Sequence, residues 1–344
     1  MSLPAFQPSF QIGDRPVGGD APCLIIAEAG VGHFGDVALG LDLVDLAAHA
    51  GADVFKTQIF DVDLLISADL PDWRERLRPR NLPFEGFAAL KERCDAHGML
   101  FMATSHDEAH LDWLERLDVP AIKVGSGERN NPLFLERLAE LGRPMVVSTG
   151  MYAQADVLEA LEACARGGCD EVALLHCVTS YPAAPADINL AAMDRMAELF
   201  EGPVGYSDHA ADDLALIAAV ARGAQVVEKH ITLPRQVPNA QDWKASAGPE
   251  DLKRLVERLR EVERMIGHGR KEPAAAEKAG EQWALKSVVA ARDLEAGRQL
   301  VREDLVAKRP GTGLPANRLA ELIGRRLVRA VAADKQIEED DLAA

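Results

Sequence analysis

The chain has no excess of basic residues, no CxxC cysteine pair and no long apolar run, and each absence removes a class of function. Its 38 Lys and Arg face 55 Asp and Glu, for a formal net charge of −17 and a pI near 5.0. No basic stripe offsets that charge, so nucleic acid and acidic membranes are not expected partners. A small anionic substrate stays open, because a pocket needs only a few well-placed Lys or Arg side chains. The five cysteines, Cys23, Cys94, Cys164, Cys169 and Cys177, are scattered and odd in number. That pattern reads as reduced thiols of a cytoplasmic protein rather than as a disulfide frame or a zinc site. No stretch reaches the roughly 18 to 20 apolar residues of a membrane span. Residues 1–13 lack the basic and apolar regions of a signal peptide, so a cytosolic location is expected.

What is present is a repeating unit. Of 344 residues, 48% are hydrophobic and 27% charged, and the length exceeds one average domain. An α/β barrel, however, uses about 250 residues as a single unit. Short apolar runs recur at 23–30, 52–60, 99–106, 121–127, 144–150, 171–178, 203–209 and 225–232. Their near-continuous Val, Ile, Leu and Met content fits strands buried on both faces, as a parallel sheet requires. Amphipathic patterns such as 37–50, 84–97, 131–141, 214–223 and 249–266 lie between and after them. Eight such strand–helix units predict a (β/α)8 TIM barrel over 23–267. Residues 1–22 read as a hairpin plugging the barrel floor, with turns at Gly13-Asp14 and Gly18-Gly19. Residues 268–283 read as an exposed linker, and 284–344 as a small β-rich domain.

The polar residues fall at the C-terminal ends of the predicted strands: Glu28, Lys56, Gln58, Thr104, Lys123, Ser126, Ser148, Ser207, Asp208, His209, Glu228 and His230, with Tyr181 after strand six. In a (β/α)8 barrel that end is the catalytic face. Strand alternation sends Lys56 with Gln58, and Glu228 with His230, to one side, and Thr57 and Lys229 to the other. His209 and His230 end neighbouring strands, so their imidazoles can converge on one ion; either could instead be a hydrogen-bonded structural histidine. Lys56 and Lys123, with Ser126, Ser148 and Ser207, suit a compact anion bearing phosphate and carboxylate. The bland reading of the lysines is a buried ion pair with Glu28 or Glu128, and serines alone often only bond nearby backbone. His33 either orients a ligand or stabilises a loop, and His176 reads as a satisfied core residue.

At these positions the sequence resembles the N-acetylneuraminate (sialic acid) synthase family, which includes legionaminic and pseudaminic acid synthases. The resemblance rests on IIAEAGVGHFGD, GADVFKTQIF, IKVGSGE, VSTGM, LHCVTSYPAAPADINL, VGYSDHA, VEKHITL and DWKAS. The C-terminal KRPGTG resembles the family's antifreeze-like (SAF) domain. The resemblance implies condensation of phosphoenolpyruvate with an N-acetylmannosamine-type aldehyde, giving a nonulosonate and phosphate. It implies His209 and His230 as ligands of a divalent metal, Mn2+ with Mg2+ or Co2+ as alternatives. Glu28, Gln58 and Glu228 would be catalytic. Lys56, Thr104, Lys123, Ser126, Ser148, Thr179, Tyr181, Ser207 and Asp242 would bind substrate. Arg309 would reach a partner subunit's site in a domain-swapped homodimer.

The chain departs from the family pattern at Phe34, at Ser105-His106 (where Pro-Phe is common), at Thr179, and at Ala240-Gln241-Asp242-Trp243, where Gly-Pro-Asp-His is usual. These changes bear on the sugar. Two other readings stay open: a Schiff-base aldolase using Lys123 or Lys56, and a non-catalytic carbohydrate-binding relative.

Overall fold

The computed structural model describes residues 5–233 and 242–343. They divide into two compact units, Met1–Gly267 and His268–Ala344.

The first unit opens with a hairpin of β1 (Ser9–Ile12) and β2 (Arg15–Gly18), turning at Gly13-Asp14. Eight parallel strands follow: β3 (Leu24–Gly30), β4 (Val54–Ile59), β5 (Leu100–Ser105), β6 (Ile122–Val124), β7 (Met145–Ser148), β8 (Val172–Cys177), β9 (Val204–Asp208) and β10 (Val226–His230). They close in chain order, with β10 pairing back onto β3. The expected (β/α)8 barrel is therefore the observed one.

Helices start and stop where local chemistry tells them to. Before the helix Val37–Ala50, the Asp36 carboxylate accepts from the Ala38 amide; after it, Gly51 takes the left-handed conformation (φ 82°) that ends the helix cheaply. β6 is shorter than the predicted run 121–127, because Ser126–Asn130 winds into a 3-10 turn directly after Gly125.

Alternation along each strand divides the core in two. One set (Ile25, Ala27, Phe55, Phe101, Ile122, Val147, Leu174) packs outward against the helices. The other (Leu24, Ile26, Val54, Met102, Ala121, Val146, Ala173, Leu175, Val226) fills the barrel interior together with Phe10, Ile12 and Val17 of the hairpin. The hairpin thus seals the floor with apolar side chains, and inward-facing polar residues are pushed toward the other end.

The second unit has its own core, including Val288, Leu300, Leu305, Leu322, Leu327 and Ile337. Its only full ladder among the described residues is β11 (Ser287–Ala290) with β12 (Leu305–Lys308); further pairing occurs as isolated bridges such as Leu294 with Val331. Asp304 is wholly buried, and bonds from Arg298 and Arg292 outweigh the effect of burial and hold its pKa to about 2. The stretch read as a linker is exposed except at the half-buried Gly280, and its end winds into a short helix, Lys278–Ala284. No helix among the described residues is long and apolar enough to cross a membrane.

Candidate active site

The interior set of residues, followed toward the strand C-termini, changes character within one step. Above Ile26 comes Glu28; above Val54, Lys56 and Gln58; above Met102, Thr104 and His106. Above Ala121 comes Lys123, and above Val146, Ser148. Cys177, Thr179 and Tyr181 continue β8, Ser207 and His209 lie on β9, and Glu228 and His230 follow Val226. All of these, with Gly125, Ser126, Gly127 and Asp242, line one cavity of about 280 Å³. Every predicted site residue is there except Arg309, which is exposed on the second unit and donates its Nε–H to Ala284 O at 3.0 Å. Thr57 and Lys229 point away, as alternation requires.

The floor of the cavity is a buried charge cluster. Lys56 Nζ lies 2.7 Å from Glu28 Oε2, 3.6 Å from Glu228 Oε2 and 3.4 Å from the Thr104 hydroxyl. Lys123 Nζ donates to the Ser148 hydroxyl (2.6 Å) and Val124 O (3.1 Å), and stands 3.7 Å from Glu228 Oε1, which also accepts from Ser207 Oγ at 2.9 Å. Glu28 Oε1 accepts from Gln58 Nε2. The buried ion pair weighed for the lysines does exist, with Glu28 and Glu228 as partners rather than Glu128. It lies inside the cavity, so pairing and a ligand-binding role are compatible.

Burial disfavours every charge here, yet the pairs respond differently. At Lys56 the two carboxylates overcome burial and move the pKa up. At Lys123 burial prevails and moves it down. Burial pushes the Glu228 carboxyl upward, but Lys123 and Lys56 reverse this and bring it to about 2, so it is ionised.

The two imidazoles meet with ring centroids 5.4 Å apart. Burial, then the neighbouring His230, lower the His209 pKa to about 3. The neutral ring donates from Nδ1 to Val178 O (2.7 Å), which leaves Nε2 as a free lone pair. Tyr181 packs on the His209 ring at 4.0 Å. The loop carrying His209 is clamped from outside the barrel: the buried Lys229 ammonium donates to Asp208 Oδ2 (2.6 Å), Ala210 O (2.7 Å) and Asp212 O (3.1 Å).

The residue types and the tautomer fit a divalent cation held by two imidazoles. Glu28 Oε2 and Glu228 Oε2 are buried and face Lys56 Nζ, at 2.7 and 3.6 Å. Among the described residues no group of three or more His, Cys, Asp or Glu forms a ready-made cage. Two imidazoles alone would leave coordination positions for substrate and water.

The opposite wall is made of small groups. A Cβ on Gly150 would lie 2.3 Å from Thr179 Oγ1 and 2.8 Å from Ser126 Oγ, whose hydroxyl instead accepts from the Gly150 amide at 2.9 Å. Only glycine admits that contact, and it keeps the Ser126 side chain fixed at the cavity edge.

Two lining residues escaped the sequence reading. Cys177, with its sulfur 3.6 Å from His209 Nδ1, reads from sequence only as a reduced thiol, and His106 only as a departure from the family pattern. Both share the inward parity of a neighbour that was recognised, Thr179 and Thr104, so parity counted from the apolar floor would have found them. His33 stabilises its own loop, accepting from the Gly35 amide at 3.1 Å, and His176 is bonded to Ile188 O. Phe34 (φ 51°) lies under the Arg80 guanidinium at 5.1 Å and, with Trp243 and Asp242, borders a small recess beside His230. Ala240 and Gln241 lie outside the described residues.

Comparison with known proteins places this architecture among relatives. Residues 43–271 match the NeuB family model, and 286–343 match the SAF domain. The chain is 36% identical to the N,N'-diacetyllegionaminic acid synthase of Legionella pneumophila, over 93% of this chain and 95% of that protein. It is 32% identical to the human N-acetylneuraminate-9-phosphate synthase, over 95% of this chain and 94% of that protein. The crystal structure of the N-acetylneuraminic acid (sialic acid) synthetase of Leptospira borgpetersenii, in complex with citrate, superposes with a TM-score of 0.75 at 33% identity. That match covers 80% of this chain and 96% of the other.

Proposed function

The chain belongs to the NeuB family, and from that premise we propose that it condenses phosphoenolpyruvate with an N-acetylmannosamine-type aldehyde, releasing phosphate and a sialic-acid-like nonulosonate. The observation that carries this reading is the convergence of two lysines, two imidazoles and two carboxylates in one cavity at the barrel's C-terminal end.

Lys56, Lys123, Ser126, Ser148, Ser207 and Thr104 would hold the anionic phosphoenolpyruvate, while Gln58, Tyr181, Thr179 and Asp242 face the sugar. His209 and His230 would hold a divalent cation, Mn2+ with Mg2+ or Co2+ as alternatives, which polarises the aldehyde oxygen when bound. The C2=C3 π pair of phosphoenolpyruvate forms the new C–C bond from C3 to the aldehyde carbon, leaving C2 cationic, and the carbonyl π bond opens to an alkoxide that takes up the proton later released by water. Water then adds at the cationic C2, and its proton passes to a carboxylate. The C2–O bond to phosphate breaks, leaving the ketone and inorganic phosphate. Glu228 is a poor base while both lysines face it, since they hold its pKa near 2. An anionic substrate that draws Lys56 and Lys123 onto itself raises the basicity of Glu228 at the moment a proton acceptor is needed; Glu28 is the second acceptor. The lysines stabilise the leaving phosphate.

The test is phosphate release with phosphoenolpyruvate and a panel of mannosamine-type sugars, followed by mass spectrometry of the product. Release that needs a sugar and stops in EDTA is expected; no release with any sugar overturns the reading. The lowered pKa of Lys123 is the one feature that favours a Schiff-base aldolase instead. Borohydride trapping of a pyruvoyl adduct, with full activity in EDTA, would establish that alternative.

The same reading includes a domain-swapped homodimer in the cytosol. The exposed Arg309 supports the first, and five buried, unpaired thiols support the second, which cell fractionation checks. Mixing Arg309→Ala and His209→Ala chains should restore activity, because a swapped heterodimer contains one intact site. No restoration would rule out the swap.

A further inference from the structure

We infer that His106 is an additional substrate-binding residue, donating from its imidazole to the phosphate of phosphoenolpyruvate; this rests on the proposed reaction and adds a contact to it. Three observations carry the inference.

The first is placement. His106 follows the end of β5, two residues beyond Thr104 and with the same inward parity, and its amide is tied to Ile59 O at 3.0 Å. In the closed order β10-β3-β4-β5-β6-β7-β8-β9, β5 stands across the barrel from β9, which carries His209 toward the mouth. The His106 ring therefore belongs to the wall of Gly125, Ser126 and Gly127, away from the paired imidazoles. Its Cε1 lies 3.6 Å from where a Cβ on Gly125 would stand, an ordinary van der Waals distance that places the ring against that glycine.

The second is the ring's environment. Among the described residues it has no hydrogen-bond partner. Its charged neighbour is Glu128, whose Oε1 lies 3.9 Å from Nδ1 while Oε2 accepts from Asn131 Nδ2 at 3.0 Å. Nδ1 faces the Glu128 carboxylate and no group among the described residues claims Nε2, so an Nε2–H can donate to an acceptor in the cavity.

The third is charge balance. Within the floor cluster, two ammonium groups face two carboxylates, Glu28 and Glu228, and cancel. Phosphoenolpyruvate brings a carboxylate and a phosphate onto a floor cluster whose own side-chain charges already cancel. An added N–H donor on the phosphate side helps to offset this, and a hydrogen bond to an ionised acceptor is about twice as strong as a neutral one.

The test compares wild type with His106→Phe, His106→Gln and Glu128→Gln, each checked for an unchanged melting temperature. His106→Phe should raise the KM for phosphoenolpyruvate about tenfold, with kcat within about threefold and the sugar KM unchanged. Binding of inorganic phosphate, measured by equilibrium dialysis, should weaken by a similar factor. His106→Gln retains one N–H and should fall between, and Glu128→Gln should weaken phosphate binding less. An unchanged phosphoenolpyruvate KM and phosphate affinity in His106→Phe would overturn the inference, as would a shift confined to the sugar KM. If the wild-type chain released no phosphate at all, the proposed reaction would fail, and dialysis against inorganic phosphate would still decide the role of His106.

Discussion

His209→Ala is expected to lower kcat/KM for phosphate release by about a thousandfold or more, with the fold intact. The magnitude follows from its proposed role as a metal ligand. Loss of a Lewis acid at a carbonyl removes several kcal/mol of transition-state stabilisation, and each 1.36 kcal/mol is about tenfold in rate. The imidazole is prepared for this role: Val178 O takes its Nδ1 proton, and burial lowers its pKa to about 3, so it stays neutral at any working pH. Folding does not depend on the ring. The loop is held by the Lys229 clamp and by the Ala183 amide donating to His209 O at 2.8 Å, and both survive the substitution. Steady-state phosphate release reads the catalytic effect, and Mn2+ titration of the variant reads loss of binding directly. Turnover retained by the variant, with Mn2+ binding undiminished, would remove His209 from the proposed centre and support the non-catalytic or Schiff-base readings.

The second large effect is expected at Lys123. Lys123→Met keeps the length of the side chain but deletes a fully buried ammonium that donates to Ser148 Oγ and Val124 O and faces Glu228. A fall of roughly 100- to 1,000-fold in kcat/KM for phosphoenolpyruvate is expected, because a desolvated cation contributes most where negative charge moves in the transition state. Stability should fall as well, by about 1–3 kcal/mol. Removing one partner of a buried pair costs up to about 5 kcal/mol, but Lys56 remains 3.6 Å from Glu228 and limits the loss. Steady-state kinetics with each substrate varied, alongside urea unfolding, separates the two effects. If the variant lost affinity for the sugar and not for phosphoenolpyruvate, the assignment of the lysine wall would be wrong.

Phe34 and Trp243 give the recess beside His230 an aromatic border, and this is where acceptor choice is expected to reside. Arg80, stacked over Phe34, is largely buried, and burial lowers its pKa; its neighbour Asp242 acts in the opposite direction. The recess therefore combines an aromatic surface with the oppositely charged side chains of Arg80 and Asp242. That combination suits a deoxygenated or acylated sugar better than a fully hydroxylated one. Competition between deoxysugars and N-acetylmannosamine in the phosphate-release assay tests this.

Much of the molecule was legible in the residue order. Eight apolar runs alternating with amphipathic ones specify a barrel, since strands without a polar face need both faces covered, one by the outer helices and the other by the closed interior. The clustering of Glu28, Lys56, Lys123, His209, Glu228 and His230 at strand ends was equally readable, because a buried charge is tolerated only where a partner or a cavity receives it. Which charges pair was not. Lys56 with Glu28 depends on the register of β3 against β4, and Lys123 with Glu228 spans the barrel lumen, so their separation along the chain carries no information about it. The opposite pKa directions of two similar lysines, the tautomer of His209 and the exposure of His106 to the cavity likewise arise from three-dimensional surroundings. Composition and periodicity determined the scaffold because they act locally, over one strand or one helical turn; only closure of the barrel, which brings eight distant chain segments to one rim, decided the electrostatics of the site.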